Sequence, residues 1–330
     1  MSMDIAVGVG LGGLIFGMAM VDVIRVVGEP DKALDIEETG TVEYFFNSAM
    51  LTVRFSEEDG DRMSSIEVFD PEVRLFNTRL IGRRRQEILN ILRAHGCAYL
   101  EDEDYDSFQT VFCETIWSTF YFEFDRLRSV LFGPLFNQDG EFIWPPTARM
   151  PELLPPDLVT PPEPATRPAA TMEVKIGLGL DDLLFGMSPG DVTAIMGRPD
   201  RIYETEAPDA TVYDFNGPMI KTKHLNNENG RMYSIEVFNP NARMLDEMVI
   251  GKNKDVLLGL LRLNGCRDLV DIVQYDYGSF DAVFCESIYC TLEFQFDRLI
   301  GIEFSPLLDK NDEPIWPHPS GKHLRRPVWN

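Results

Sequence analysis

Short stretches in which apolar and polar residues alternate recur along the chain and predict β-strands. Residues 120–124 read Phe-Tyr-Phe-Glu-Phe, and residues 292–296 read Leu-Glu-Phe-Gln-Phe. Alternation with a period of two is typical of a sheet with one buried and one solvent-facing side. In the C-terminal half, strand signals lie at 211–215, 219–225, 231–238, 282–296 and 299–304, with a predicted hairpin turn at Asp297 and Arg298.

Two segments of the C-terminal half instead carry apolar residues at the three- and four-residue spacing of a helix. Ser188 is the expected N-cap of the first, Pro189 occupies its first turn, and Gly197 ends it. The second helix runs from about Asn253 to Leu263. The predicted order is therefore helix, strands, helix, strands.

The two halves of the chain are copies of one module, because the same motifs occur twice in the same order. These motifs are Gly-Leu-x-x-Leu-x-Phe-Gly-Met at 10–18 and 179–187, Ser-Ile-Glu-Val-Phe at 65–69 and 234–238, Gly-Cys at 96–97 and 265–266, Asp-Tyr-x-Ser-Phe-x-x-Val-Phe-Cys-Glu at 104–114 and 276–286, Phe-Asp-Arg-Leu at 124–127 and 296–299, and Ile-Trp-Pro at 143–145 and 315–317. About four aligned positions in ten are identical, as expected of one fold repeated.

The duplication predicts a repeat module at 1–144, a linker at 145–172, a second module at 173–317 and a C-terminal tail at 318–330. Nine prolines make the linker a semi-rigid spacer of about 3.1 Å per residue. The predicted fold class is α+β. Each copy is expected to contain two helix-then-strands halves that share one antiparallel sheet.

In each copy a glycine-methionine pair precedes the first helix, and Gly-x-Pro follows it. The second copy reads Gly186-Met187-Ser188-x-x-Asp191-Val192-x-x-x-Met196-Gly197-x-Pro199-Asp200, and the first matches it at Gly17-Met18, Asp22-Val23 and Gly28-x-Pro30-Asp31. This motif resembles the helix that opens the outer-membrane assembly lipoproteins of the SmpA/OmlA type and the β-lactamase-inhibitor proteins. The resemblance implies a helix pair packed on an antiparallel sheet, used to bind proteins and not for catalysis.

The chain is strongly acidic, with a net charge of −24 at pH 7. Residues 1–150 carry 26 acidic and 13 basic side chains, and residues 151–330 carry 28 and 17, so both halves are acidic. A field of this sign repels nucleic acid and anionic membranes and favours a basic protein partner. Solubility alone is the alternative explanation.

Cysteine content and the N-terminal segment predict a cytoplasmic location. The five cysteines are an odd number, which argues against a disulfide framework, and they are expected to be small buried fillers. Residues 5–21 are apolar but lack the basic start of a signal peptide. The matching stretch of the second copy contains Asp181 and Asp182, so we interpret both as the entry to a soluble domain.

The densest charge run follows the second helix of the first copy, and the second copy has fewer acidic residues there. A solvated loop is the default interpretation. The alternative is a patch that meets a basic partner, with tyrosines supplying contact area. The candidate partner-binding residues are Tyr99, Glu101, Asp102, Glu103, Asp104, Tyr105 and Asp106.

The sequence predicts no catalytic residue, no cofactor and no metal. Gly8-x-Gly10-x-x-Gly13 resembles a dinucleotide fingerprint, but the second copy replaces Gly13 with Asp182, whose charge would face the pyrophosphate. The four histidines are scattered, and the spacing of Cys285 and Cys290 does not fit a zinc site.

Two pairs of glutamates occupy matching positions, Glu67 with Glu236 and Glu114 with Glu286. Buried side by side, such carboxylates could perform acid–base chemistry. No histidine or nucleophile repeats with them, so solvated or hydrogen-bonded structural glutamates are the favoured interpretation.

Cations begin the second helix of each copy, at residues 83–85 and at Lys252 and Lys254. Positive charge there opposes the helix dipole. Either an external anion or the protein's own carboxylates would relieve it, and the protein's own groups are the favoured interpretation.

These expectations converge on a non-enzymatic protein-binding protein. The most concrete version is a bacterial cytoplasmic inhibitor, such as an immunity protein that neutralises a cognate toxin, with two modules gripping one target. One alternative is an adaptor or scaffold in a larger assembly. Another is an enzyme that uses the matched glutamates between the copies. The sequence predicts neither a nucleic-acid nor a membrane partner.

Overall fold

The computed structural model describes residues 3–105, 108–146, 172–205, 209–272 and 280–317. Nearly all of the predicted linker and all of the predicted tail lie outside these residues, so both stay predictions. The chain divides into two compact units, Met1–Pro161 (unit 1) and Pro162–Asn330 (unit 2).

Strands dominate both units, with 46% of the described residues in strands and 17% in helices. The predicted α+β class, built from helix-then-strands halves, is therefore wrong, and the fold is mainly β. The four described helices have only 8 to 10 residues. Several strands escaped prediction because they are two residues long or rich in charge, and neither kind shows a clear period of two.

Unit 1 is built on an eight-stranded antiparallel sheet. Its elements are β1 (Ile5–Ala6), β2 (Gly10–Leu11), β3 (Leu14–Ile15), α1 (Met20–Val27), β4 (Lys32–Ile36), β5 (Thr41–Phe46), β6 (Leu51–Ser56), β7 (Arg62–Val68), β8 (Arg74–Leu75), β9 (Thr78–Arg79), α2 (Arg85–Ala94), β10 (Leu100–Asp104), β11 (Gln109–Cys113), β12 (Ser118–Glu123), β13 (Arg126–Phe132), β14 (Leu135–Phe136) and β15 (Phe142–Ile143). The order is β10-β11-β12-β13-β7-β6-β5-β4. Two four-strand meanders thus join where β13 pairs with β7.

Unit 2 repeats this sheet with the order β19-β20-β21-β22-β28-β27-β26-β25. Its elements are β16 (Met172–Lys175), β17 (Gly179–Leu180), β18 (Leu183–Leu184), α3 (Pro189–Met196), β19 (Arg201–Thr205), β20 (Ala210–Phe215), β21 (Ile220–Leu225), β22 (Arg231–Val237), β23 (Ala242–Met244), β24 (Glu247–Met248), α4 (Lys254–Leu263), β25 (Leu269–Ile272), β26 (Phe280–Cys285), β27 (Cys290–Gln295) and β28 (Arg298–Phe304). A second sheet contains β16–β18 with β23 and β24.

The predicted helices of the second copy are confirmed as α3 and α4. Ser188 accepts a hydrogen bond from the Asp191 backbone while the Asp191 carboxylate accepts one from the Ser188 backbone, a capping box that begins α3. The predicted strand at 282–296 is two strands, because a 3-10 turn at Glu286–Ile288 divides it. The following hairpin turns at Phe296 and Asp297, one residue earlier than predicted, and both residues have positive φ, as a tight hairpin turn requires.

All five cysteines are buried free thiols, which confirms their predicted role as core fillers. Burial and a hydrogen bond to Cys113 raise the pKa of Cys97 to about 12. The thiol form therefore predominates at neutral pH, and a thiol is a poor nucleophile.

The repeated Gly-Met and Ile-Trp-Pro motifs meet at one contact in unit 1. Gly17 has φ +87, and a Cβ there would lie 3.1 Å from the Trp144 ring. The guanidinium of Arg62 lies 5.8 Å from the centroid of the same ring. The equivalents in unit 2 are Gly186, Trp316 and Arg231. The two ends of each module are thus packed together, which explains why both motifs are repeated.

The glycine-rich segment at residues 8–13 lies in a small sheet and not at the opening of a helix, because α1 begins only at Met20. Gly10 has φ +150, and a Cβ there would lie 1.9 Å from the carbonyl oxygen of Leu14. A Cβ on Gly8 would lie 2.7 Å from Leu135 Cγ. Close packing therefore accounts for both glycines without a phosphate ligand.

Candidate functional site

The acidic run of unit 1 is a strand and not the loop that its composition predicts. Leu100–Asp104 forms β10, which pairs antiparallel with β11 at the edge of the eight-stranded sheet. Acidic residues are poor strand formers, but pairing with β11 satisfies one row of backbone groups. Among the described strands β11 is its one neighbour, so the other row of β10 faces outward. Asp106, the last predicted residue of the patch, lies outside the described residues.

Two acidic side chains of β10 bond to neighbouring side chains of unit 1. The Asp102 carboxylate forms an ion pair with Arg85, the first residue of α2. The Asp104 carboxylate accepts a hydrogen bond of 3.1 Å from Gln109 Nε2. The cation at the start of this helix is therefore paired with the protein's own carboxylate, as predicted.

The other two acidic side chains, Glu101 and Glu103, share the opposite face of β10, since side chains alternate along a strand. Glu103 accepts a hydrogen bond from the Tyr105 hydroxyl. No hydrogen bond or ion pair joins the Glu101 carboxylate to another described residue. This face therefore carries the charge that an external cation would meet first.

Exposed aromatic rings flank the acidic strand. The Tyr99 side chain is 73% exposed. The rings of Tyr105 and Phe108 stack with centroids 4.6 Å apart. A hydrogen bond to Glu103 and the charge of that carboxylate raise the pKa of Tyr105, so the phenol stays a donor at neutral pH. Sequence reasoning missed Phe108, although it lies inside the repeated motif at 104–114.

The equivalent edge of unit 2 is not acidic. In β25 the pairing of Leu269 with Cys285 matches that of Leu100 with Cys113, which fixes the alignment of the two strands. Val270, Asp271 and Ile272 then stand in place of Glu101, Asp102 and Glu103. Lys254 Nζ lies 3.5 Å from Asp271 Oδ1, so the ion pair from the helix start is kept while the acidic row is lost. The candidate site is a property of unit 1.

The matched glutamate of unit 1 lies in a polar cluster that is largely shielded from solvent. Arg54 forms ion pairs with Glu43 and with Glu67, the latter at 3.1 Å between Nη2 and Oε2. Ser129 donates a hydrogen bond of 2.8 Å to Glu67. Burial lowers the pKa of the Arg54 guanidinium, but the charges of Glu67 and Glu43 raise it by more, so the guanidinium stays charged.

Unit 2 contains the same cluster with different members. Lys223 Nζ lies 2.5 Å from Glu236 Oε1 and 2.8 Å from Glu303 Oε1. Ser234 donates a hydrogen bond of 2.7 Å to Glu303. Burial lowers the pKa of Lys223, but Glu236 and Glu303 raise it well above its ordinary value. Glu67 and Glu236 are therefore each paired with a cation of their own unit.

The second carboxylate of the cluster comes from a different strand in each unit. Strand pairing places Glu43 where unit 2 has Val212, and Leu131 where unit 2 has Glu303. The cation therefore keeps two carboxylates in both units although their positions differ. Between the two units one carboxylate is removed and another is added, and this exchange is expected if the partly buried cation requires two carboxylates.

The other matched pair, Glu114 and Glu286, lies in exposed 3-10 turns, each as the first residue of its turn. Within a unit, the two matched glutamates therefore occupy different environments, one in a shielded strand and one in an exposed turn. The described residues contain no group of three or more His, Cys, Asp or Glu side chains that could hold a metal ion.

Unit 2 also replaces two core residues of unit 1 by a buried polar pair. His224, 1% exposed, stands where unit 1 has Phe55, and Thr222 stands where it has Val53. The Nδ1 of His224 lies 2.9 Å from the Gly230 carbonyl oxygen, and Nε2 lies 3.1 Å from Thr222 Oγ1. Burial lowers the pKa of His224, and this outweighs the opposing effect of the bond to Gly230.

We expect His224 to make unit 2 sensitive to acid. Because its pKa is lowered by folding, the unfolded chain binds the proton more readily, and stability falls as the pH drops below about 6.5. The loss is at most about 1.4 kcal/mol per pH unit. Urea unfolding between pH 7.5 and 5 measures it. The control is Thr222→Val with His224→Phe, which reproduces unit 1, and an equal pH slope in that variant would contradict this origin.

No protein-family model matches the chain, and no curated protein matches it. One solved structure, of an extracellular protein containing a SCP domain from Bacillus anthracis str. Ames, aligns with 36% of this chain and 43% of its own at 12% identity. The TM-score is 0.25, too low to support a conclusion about fold or function. Among the described helices, none combines the length and the apolar character needed to span a membrane.

Proposed function

We propose that this chain is a non-enzymatic protein-binding protein, and that its edge strand β10 pairs with a basic strand of the partner. The observation that carries the proposal is the position of four exposed acidic side chains, residues 101–104, on an edge strand whose outer side pairs with no other described strand. An open row can accept a strand of another protein through main-chain hydrogen bonds. The side chains then determine which strands are accepted.

The acidic row selects against self-association and for a cationic partner. Two copies of β10 placed side by side would bring like charges together, which destabilises strand pairing. A strand with Lys or Arg at alternate positions would instead place cations beside Glu101 and Glu103. The net charge of −24 would speed the approach of such a partner. Tyr99 and the Tyr105–Phe108 stack would add contact area.

The most concrete form of this proposal is a cytoplasmic inhibitor, such as an immunity protein that neutralises a basic toxin. The resemblance of the first helix motif to protein-inhibitor modules supports it. So does the asymmetry of the two units, since a chain that needed the acidic strand only for solubility would have no reason to confine it to one copy. An adaptor or scaffold would share the binding mode, and the identity of the partner separates the two.

Removing the charge of the proposed binding face is expected to weaken the binding of a basic strand. The probe is a peptide of alternating Lys and Val, with affinity measured by calorimetry at low salt. Glu101→Gln with Glu103→Gln is expected to lower affinity roughly tenfold, because each exposed ion pair contributes about 0.2–1 kcal/mol. Glu57→Gln with Glu58→Gln removes the same charge from an exposed turn of unit 1 and serves as the control. Equal weakening by both variants would mean that only the net field attracts the peptide.

Strand pairing is tested separately with a peptide whose alternate backbone nitrogens are methylated. Methylation keeps the charge but removes main-chain donors, so binding is expected to be lost. If the methylated peptide binds as well as its parent, the edge of β10 is not the contact. Affinity purification from the native cell identifies the natural partner. That protein should be captured by the unchanged chain and by the Glu57→Gln, Glu58→Gln control, but not by the Glu101→Gln, Glu103→Gln variant.

A further inference from the structure

Five aromatic rings of unit 1 form a continuous row that begins beside the acidic strand, where Phe112 of β11 lies directly opposite Glu101. Successive ring centroids are 5.1, 4.3, 4.6 and 5.1 Å apart. The members of this aromatic row, in order, are Phe112, Trp117, Phe136, Phe142 and Trp144. Each ring is in contact with the next, so the five rings form one connected aromatic surface.

The row is anchored at one end, where Trp144 packs against the core of unit 1. Phe136 and Phe142 are paired across the β14–β15 hairpin, which fixes their spacing. Trp117 ends a 3-10 turn with φ +47, a conformation that is unfavourable for a bulky residue and is held by the turn. All five side chains are half-buried, so part of each stays open to solvent.

Unit 2 folds in the same way without the row. Leu308 and Pro314 bridge each other there as Phe136 and Phe142 do in unit 1. The Phe284–Tyr289 pair, with centroids 5.8 Å apart, matches Phe112 and Trp117. Because leucine and proline serve at the two middle positions, the module does not need aromatic rings there to fold. The two phenylalanines that complete the row therefore require another explanation.

The chain itself supplies a ligand of suitable chemistry. Directly after Trp144 it enters residues 145–172, which contain nine prolines. Aromatic surfaces bind proline-rich segments well, because the pyrrolidine ring packs flat on an aromatic face and the segment loses little entropy on binding. The 25 residues from 147 to 171 would span about 75 Å at about 3.1 Å per residue, far more than needed to turn back along the row.

We propose that the aromatic row is a binding surface for the proline-rich segment 147–171 of this chain. The first module thereby carries a site that the second lacks, next to the point where the proline-rich segment begins. The row adjoins the acidic strand at Phe112, which lies directly opposite Glu101. Its middle residues, Phe136 and Phe142, belong to the β14–β15 hairpin, so substitutions there leave the residues of β10 unchanged.

The test uses the full-length chain labelled with 5-fluorotryptophan, whose fluorine signals are assigned by single Trp→Phe variants. All seven prolines between 147 and 171 are replaced by serine. The Trp117 signal is expected to shift and its H2O/D2O isotope effect to increase, because solvent replaces the proline rings. Trp316 is the internal control, because unit 2 has no row, and its signal is expected to stay unchanged. An unchanged Trp117 signal would overturn the proposal.

A second variant keeps the test informative if the serine substitutions act indirectly. Phe136→Leu with Phe142→Pro gives unit 1 the residues that unit 2 already tolerates. In this background the proline substitutions are expected to leave the Trp117 fluorine signal unchanged. If the signal still shifts, the proline-rich segment contacts another surface. A peptide of residues 147–171 added to the serine chain is expected to restore the original signal. If the Trp117 signal of the serine chain responds only to unrelated proline-rich peptides, the row binds a proline-rich partner protein and not this segment.

Discussion

Replacing Lys223 by methionine is expected to destabilise unit 2 by about 3–5 kcal/mol. The lysine lies between Glu236 and Glu303, which are direct cross-strand neighbours. Without it two carboxylates face each other in a site where Glu236 is only 11% exposed, and like charges at such positions repel. Urea unfolding followed at Trp316 reports this loss for unit 2 alone.

The matched rescue is Glu303→Leu in the Lys223→Met background, because unit 1 has Leu131 at that position. The remaining carboxylate, Glu236, then keeps Lys221, whose Nζ lies 3.9 Å away. We expect this double variant to recover more than half of the lost stability. If Lys223→Met alone costs less than about 1 kcal/mol, the cluster behaves as a surface ion pair and its burial has no energetic consequence.

Replacing Gly10 by alanine is expected to destabilise unit 1 by about 4 kcal/mol. Backbone strain at φ +150 contributes about 1–3 kcal/mol, and displacing the Leu14 carbonyl, 1.9 Å from the new Cβ, contributes a similar amount. Gly179→Ala is expected to act alike in unit 2, where the Cβ would meet the Leu183 carbonyl oxygen at 1.9 Å. Thermal unfolding of the two variants measures both effects.

Gly28→Ala separates the effect of backbone strain from that of a steric clash between the new Cβ and a neighbouring atom. Gly28 also has a positive φ of 106°, but no atom lies within 4 Å of its Cβ position. Gly28→Ala should therefore lower the free energy of unfolding only by the cost of backbone strain, about 1–3 kcal/mol. Equal losses for Gly10→Ala and Gly28→Ala would show that the backbone around Leu14 yields without cost.

A protein binder and an enzyme make different demands on the polar clusters. A carboxylate that acts as a general acid or base must be able to exchange a proton near neutral pH. The carboxylate of Glu67 is instead bound by Arg54 and Ser129, and that of Glu236 is bound by Lys223. Their repetition in both copies therefore reflects the requirement of a shielded cation for counter-charges. This leaves the acidic strand, present in one unit alone, as the better candidate for function.

The helices could be located from the sequence, whereas the fold class could not, because helix ends carry a local signal and edge strands do not. The helices at 189–196 and 254–263 have capping residues and apolar spacing, so their ends could be located from sequence. Edge strands carry no such signal. Leu100–Asp104 reads as a loop, because acidic residues have low strand propensity, and it becomes a strand only because β11 offers it a row of hydrogen-bonding groups.

The duplication, the capped helices, the central alternating strands and the burial of the cysteines could all be predicted from sequence, because each depends on residue type at a local spacing. Three features became visible in the folded chain alone: the acidic run is an edge strand, Glu67 and Glu236 pair with partly buried cations, and five aromatic rings separated by up to 32 positions form one row. These features depend on which strands become neighbours. Strand neighbours are set by the packing of the whole sheet, and no local pattern encodes it.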